Sequence, residues 1–178
     1  MAAPAETRTR STRLPRSARR AQLLGAAQEV FVAQGYHAAA MDDIAERAGV
    51  SKPVLYQHFP GKLDLYLALL DQHAEALVDA VRVALASTTD NKLRVAATIE
   101  AYFRFVDEDG GAFRLVFESD LTNQPEVRER VEGVTAACAD AISEVIRVDA
   151  GLPPDQARLL ASLSWRGIGG FPRMGEPH

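Results

Sequence analysis

The segment Met41–Lys62 constrains the fold of this chain more than any other part of its sequence. It reads MDDIAERAGVSKPVLYQHFPGK. A short helical pattern runs to Gly49, a residue that accepts a positive φ. Ser51 is placed to cap a second short helix, whose first turn tolerates Pro53. Two short helices joined by so tight a turn predict a helix-turn-helix unit, whose second helix fits the major groove of DNA.

Apolar residues recur at helical spacing through the rest of the chain, and no segment keeps the alternation of a strand. With the two short helices and an apolar piece at 112–118, we expect about eight helices, the longer ones over about 17–35, 62–86, 91–106, 125–150 and 155–165. The predicted fold is therefore all-α, with an N-terminal three-helix domain and a C-terminal helical domain. The domain boundaries are a flexible basic arm (1–16), a DNA-binding domain (17–62, helix-turn-helix about 40–59) and a larger helical domain (63–178).

The charge distribution separates the two ends of the chain. The net charge is −4, but residues 1–62 hold nine Lys/Arg against five Asp/Glu, and residues 63–178 hold eleven against nineteen. Six of the cations are arginines within the first twenty residues. We call residues 1–62 the head and residues 63–178 the body. A basic head and an acidic body indicate that the head binds a polyanion.

Composition excludes several classes of protein. A hydrophobic fraction of 47% with 25% charged residues is typical of a globular domain. No apolar stretch approaches the length of a membrane span, and the first twenty residues lack the apolar core of a secretory signal. The lone cysteine, Cys138, rules out an internal disulfide. We therefore expect a cytoplasmic protein that has no membrane partner.

Candidate DNA contacts fall on and around the second helix of the motif. We expect the apolar side chains of Ile44, Val50 and Leu55, the apolar pegs, to hold the two short helices against the first helix. For Tyr56 and Phe59 the alternative is that both are core residues. Gln57 is suited to an adenine edge, Val54 to a thymine methyl and Lys52 to guanine or phosphate. The base-reading candidates are Lys52, Pro53, Val54 and Gln57. The phosphate candidates, which fix register without reading sequence, are Ser51, Tyr56, His58, Lys62, Arg16, Arg19 and Arg20.

Three stretches of the head resemble the tetracycline-repressor (TetR) family: LGAAQEVFVAQGY (24–36), IAERAGVS (44–51) and LYQHFPGK (55–62). The resemblance implies a dimeric bacterial transcription regulator whose N-terminal domain binds a palindromic operator. It also implies phosphate contacts at Tyr56, His58 and Lys62, with base reading at Lys52, Val54 and Gln57. The sequence departs from the family at the usual Thr or Ser before the second helix, where Ala39 and Ala40 stand, and at Pro53, where Gly or Thr is more usual.

The resemblance further implies that the larger domain binds a small apolar or amphipathic effector. The pocket candidates are Tyr102, Phe103, Val106, Phe113, Phe117 and Cys138, with ordinary core packing as the alternative for each. Val95, Ile99, Tyr102, Phe103 and Val106 form the predicted apolar stripe of the helix over 91–106. Cys138 is interpreted as a packing residue rather than a redox sensor.

Enzymatic functions are disfavoured by the residue inventory. The four histidines show no metal-ligand spacing, and the chain has neither a glycine-rich phosphate loop nor a nucleophile elbow. We expect no cofactor and no metal.

The C-terminal region is predicted to be short for the resemblance. The family usually dimerises through two C-terminal helices, whereas one helix is predicted after Pro153-Pro154. An internal deletion and an unusual short variant are the two hypotheses, and either would reduce the dimer interface. The predicted function is a ligand-released repressor that binds its operator as a homodimer. The alternatives are a helical interaction protein or family relative that has lost operator binding or dimerisation, and, less favoured, a small-molecule carrier or enzyme.

Overall fold

The computed structural model describes residues 14–108, 121 and 124–167. Every regular element within those residues is a helix, so the all-α prediction is confirmed. The helices are α1 (Arg16–Ala38), α2 (Met41–Arg47), α3 (Lys52–His58), α4 (Lys62–Ala86), α5 (Asn91–Glu108), α6 (Pro125–Ala150) and α7 (Pro154–Gly167). Residues 1–13, most of the predicted basic arm, lie outside the described residues, as do Phe113 and Phe117.

Helices α1, α2 and α3 form the head around small and aliphatic side chains. Ile44 and Leu55 are fully buried, and Val50 packs against the same core, as predicted for the apolar pegs. Ala45 and Ala48 are buried as well. Because alanine side chains are small, the two helices of the motif approach each other closely.

Two glycines set the turns of the head. Gly35 has φ 76° and interrupts the helical backbone of α1 three residues before its end, close to the predicted stop. Gly49 has φ 64° in the turn between α2 and α3, as its place in the motif requires. Ala40 occupies the N-cap position of α2, and its side chain has no oxygen to accept an amide hydrogen.

Helix α4 connects the head to the body. Its apolar stripe is buried throughout, at Tyr66, Leu70, Leu77, Val81 and Leu85. Near its start the Tyr66 ring packs edge-on against Phe31 at 5.5 Å and against Tyr36 at 5.2 Å between centroids. These three rings join the end of α1 to the first turn of α4, so head and body share one hydrophobic core.

The buried face of α5 differs from the predicted stripe. Tyr102 is buried, but Val95 is exposed and Phe103 is 52% exposed. The buried face includes Thr98, one turn before Tyr102, because its hydroxyl donates to the carbonyl of Arg94 at 2.8 Å. A threonine satisfied within its own helix is invisible to a search for apolar spacing, which explains the error.

Helices α6 and α7 complete the body. The apolar stripe of α6 is buried from Val127 to Ile142 and packs against α4. Gly151, with φ 63°, ends α6 in the left-handed conformation common at helix C-termini. In α7, buried Trp165 meets the Tyr102 ring edge-on at 5.9 Å between centroids. Across the described part of the chain, no helix combines the length and the apolar character needed to cross a lipid bilayer.

Candidate nucleic-acid interface

Helix α3 presents one face to the core and the other to solvent. Leu55 and the following Phe59 are buried and anchor the helix, whereas Tyr56 is 47% exposed and Gln57 is exposed. The alternative that both aromatic residues are core therefore holds for Phe59 and fails for Tyr56. The base-reading candidates occupy the solvent face, with Lys52, Pro53 and Gln57 exposed and Val54 half-buried.

The N-terminus of α3 leaves a hydroxyl available. Ser51 occupies the N-cap position, but its side chain makes no capping hydrogen bond to the described residues, which corrects the predicted cap. The Ser51 carbonyl instead accepts from the amides of Val54 at 3.0 Å and Leu55 at 3.3 Å. The serine is exposed beside the first amides of the helix. Its hydroxyl is thus free to donate to an approaching phosphate.

Lys52 forms an ion pair with Asp42 across the two helices of the motif, at an N–O distance of 2.5 Å. Both side chains are largely exposed, and an exposed pair of this kind contributes little to stability. The pair holds Lys52 beside the N-terminus of α2. Since an ammonium has three N–H donors, two remain for a phosphate or guanine contact.

Lys62 makes hydrogen bonds to the end of α1 that the sequence did not reveal. Its ammonium donates to the carbonyls of Tyr36 at 2.7 Å, Ala39 at 2.8 Å and His37 at 3.3 Å. It also lies 4.5 Å from the centroid of the Tyr36 ring, at cation–π distance. An ammonium has three N–H donors, and all three are directed at backbone carbonyls. In this conformation Lys62 ties α4 to the end of α1, and its role as a phosphate contact stays a prediction.

The three arginines of α1 divide into different environments. Arg16 is exposed at the first residue of the helix. Arg19 donates to the side-chain carbonyl of Gln22 at 2.7 Å, and the Arg20 guanidinium lies 4.3 Å from the centroid of the Phe59 ring. Arg20 therefore sits against the end of α3. His58, the last residue of α3, is half-buried.

Sequence reasoning missed two contacts that hold the motif in place. The Gln22 amide donates to the carbonyl of Ala48 at 2.7 Å, which ties the end of α2 to α1. Arg47 pairs with Glu29 of α1 through exposed side chains. Both contacts join residues far apart in the chain, so no local pattern announces them. Together they fix the orientation of α2 beneath the exposed face of α3.

The pocket candidates within the described residues, Tyr102, Phe103, Val106 and Cys138, lie in different environments. Phe103 points partly to solvent, whereas Tyr102 and Cys138 are buried in the core and Val106 is half-buried. Burial raises the pKa of the Cys138 thiol to about 12, although the charge of Arg82 opposes the shift. The thiol is therefore protonated near neutral pH, which agrees with the packing role predicted for Cys138.

The fold and this surface define a helix-turn-helix protein with an attached helical body. A family model described as "Bacterial regulatory proteins, tetR family" matches residues 23–69. The HTH-type transcriptional activator FasR of Mycolicibacterium smegmatis is 54% identical over 158 residues, which cover 89% of this chain and 72% of FasR. The HTH-type transcriptional regulator RutR of Escherichia coli is 33% identical over 73% of this chain, and the match spans 61% of RutR's length.

A solved structure shares both fold and sequence with this chain. The tetR-family transcriptional regulator from Streptomyces coelicolor superposes with a TM-score of 0.68 at 28% identity, over 88% of this chain and 69% of that structure. The chain belongs to the TetR family of DNA-binding transcriptional regulators, as the resemblance in its sequence indicated.

Proposed function

We propose that this chain is a one-component transcription regulator of the cytoplasm that binds a palindromic DNA site as a homodimer. The exposed face of α3 carries the proposal, because it combines hydrogen-bonding, apolar and cationic side chains on a helix fixed by buried Leu55 and Phe59. Gln57 and Val54 are the proposed base readers. Tyr56, Ser51 and the α1 arginines are the proposed phosphate contacts.

Dimerisation is supported by the outer face of α7. Leu159, Leu160 and Leu163 are all exposed on this helix, and Leu159 and Leu163 lie one turn apart. Three neighbouring leucines in water favour a covering surface of the same kind. A second copy of α7 provides one, and two-fold symmetry then sets two α3 helices against successive major grooves.

The ligand response is proposed to change the spacing of the two heads. Helix α4 is continuous from Lys62 in the head to Ala86 in the body, so a displacement of the body reaches the end of α1 directly. A ligand that binds one spacing better than the other shifts the population between them. Release of DNA on ligand binding gives the repressor predicted from the family resemblance.

Activation is a second candidate, because the 54% identical relative from M. smegmatis is named an activator. The two candidates share the same operator-binding dimer and differ in how the site lies relative to the promoter. A reporter fused to the promoter of the chain's own gene, measured with and without the regulator, separates them. Repression predicts higher reporter output when the regulator is deleted, and activation predicts lower output.

DNA binding itself is tested by gel shift against the DNA that flanks the chain's own gene, at two salt concentrations. The proposal predicts one preferred fragment and weaker binding at higher salt, because released counterions drive the association. A helical interaction protein without operator binding predicts no preferred fragment at either concentration. Lys52→Ala is expected to weaken binding of the preferred fragment, because it removes a cationic contact with DNA. Lys92→Ala is the matched control, since both lysines are exposed at the start of a helix and Lys92 lies on α5.

A further inference from the structure

A cavity of about 400 Å³ lies where the end of α4, the start of α5, the end of α6 and α7 meet. Its volume falls within the range of small-molecule sites, about 300–1,000 Å³. The apolar part of the wall is aliphatic and comprises Leu85, Val95, Ile142, Val145 and Ile146. None of the predicted pocket residues within the described chain lines it. This cavity is therefore a different site from the one expected from the sequence.

One end of the cavity carries a charged pair, Arg94 and Asp149. The Arg94 Nε donates to the carbonyl of Thr88 at 2.6 Å, and Nη1 donates to the Asn91 side chain at 3.0 Å and to Asp149. These bonds hold the guanidinium in a fixed orientation. Its second terminal nitrogen, Nη2, has no acceptor among the described residues. Two N–H donors thus remain for a ligand.

The sign of the charge that the cavity prefers follows from burial. The Arg94 side chain is 14% exposed and Asp149 is 29% exposed. The less exposed charge is screened less by water and salt, so the guanidinium dominates at the cavity end. A carboxylate matches a guanidinium in both charge and planar geometry. A cationic head group meets the more strongly felt charge of the same sign.

We propose that this cavity binds a small amphipathic monocarboxylate, with the carboxylate on Arg94 and the apolar part against the aliphatic wall. The inference rests on the proposed function, in which this molecule is the effector, and it places the effector site at the far end of α4 from the head. The ligand carboxylate competes with Asp149 for the guanidinium. Removing the Asp149 charge therefore strengthens binding.

The proposal is tested by isothermal titration with three probes that share one apolar body: 4-phenylbutyrate, 4-phenylbutan-1-ol and 4-phenylbutylamine. We expect 4-phenylbutyrate to bind, and the alcohol and amine to bind at least about tenfold more weakly, because each loses a charge-assisted hydrogen bond. Equal affinity for all three head groups overturns the proposal, as does no detectable binding of 4-phenylbutyrate.

Two charge variants have opposite expected effects. Arg94→Gln weakens binding of 4-phenylbutyrate by about tenfold or more, whereas Asp149→Asn strengthens it. A purely structural role for the ion pair predicts that both variants weaken binding, since both break the same contact. Thermal unfolding of each variant is recorded in parallel, and weaker binding in Asp149→Asn at unchanged melting temperature overturns the proposal.

The location is tested with a matched pair on α5. Val95 lines the cavity and Leu93 does not, although both side chains are 57% exposed. Val95→Trp fills the cavity and is expected to weaken 4-phenylbutyrate binding at least about tenfold, whereas Leu93→Trp leaves it unchanged. Equal effects of the two variants overturn the location.

Gel shifts of the same proteins without any probe distinguish the two proposals. DNA binding without carboxylate binding rejects the cavity and keeps the regulator, and the reverse result rejects the regulator and keeps the cavity.

Discussion

The ammonium of Lys62 lies 2.7 Å from the carbonyl oxygen of Tyr36 and 4.5 Å from the centroid of the Tyr36 ring. With the carbonyls of His37 and Ala39, this contact gathers the backbone after the Gly35 kink around the first residue of α4. The first residue of α4 and the end of α1 are therefore held together. The orientation of α3 depends on this contact through α1.

Replacing Lys62 by alanine is expected to lower the free energy of unfolding by about 1–3 kcal/mol, because carbonyls that are partly buried lose a charged donor. Urea denaturation measures the change. Lys92→Ala, an exposed control, is expected to stay within about 0.5 kcal/mol of the parent. If Lys62 is instead a phosphate contact, the variant keeps its stability. The slope of log K for DNA binding against log salt concentration then falls by about 1, the amount expected for one lost phosphate contact.

Two glycines are expected to respond to alanine in opposite directions. A methyl group at either Gly25 or Gly49 meets nothing within 4 Å, so neither substitution causes a clash. Gly49→Ala forces a residue with a Cβ into φ 64° and is expected to destabilise the head by about 1–2 kcal/mol. Gly25→Ala, inside α1, is expected to stabilise by about 0.4–1 kcal/mol. Melting temperatures that move in the same direction contradict the assigned turn.

The helix-turn-helix motif was largely predictable from sequence, because the residues that define it act through neighbours a few positions away. The turn at Gly49 and the burial of Ile44 and Leu55 follow from residue type and spacing alone. The contacts that the sequence did not reveal join distant segments, as between Lys62 and Ala39 or between Arg94 and Asp149. The residues next to a lysine or an arginine in the sequence do not indicate which distant residue it contacts in the folded protein.

The cavity where α4, α5, α6 and α7 meet was not predictable from the sequence, for a related reason. Tyr102 and Phe103 were predicted to line a pocket because they are aromatic. In the structure Tyr102 is buried in the core, and Phe103 is turned outward. The cavity is instead lined by aliphatic residues from three helices, α4, α5 and α6, together with Ser164 of α7, and no single stripe marks it. A cavity is a property of how helices meet, so it follows from packing rather than from the sequence of one helix.

Cys138 is expected to resist thiol reagents in the folded protein. With the pKa raised to about 12 and the side chain fully buried, only about one thiol in ten thousand is ionised at pH 8. Labelling with Ellman's reagent is expected to be slow in buffer and complete within minutes in denaturant. Fast labelling of the folded protein contradicts the packing role and reopens redox sensing.

The outer face of α7 is expected to hold the dimer together. Leu159→Ser with Leu163→Ser is expected to convert the dimer to a monomer in sedimentation velocity at low micromolar concentration, because it removes apolar contacts between two copies. Both leucines are exposed in the single chain, so the fold of each copy is retained. Leu93→Ser, an equally exposed change on α5, leaves the dimer intact. A dimer unaffected by the α7 variant places the interface elsewhere.

The central claim is that the exposed face of α3 reads DNA, and fluorescence anisotropy with Tyr56→Ala and Gln57→Ala tests it most directly. Each protein is titrated against the preferred flanking fragment and against a scrambled duplex of equal length. We expect Tyr56→Ala to weaken both complexes by a similar factor, because a phosphate contact carries no sequence information. We expect Gln57→Ala to weaken the preferred complex by about 1–3 kcal/mol and the scrambled one little. Unchanged affinities for both variants on both duplexes contradict the claim.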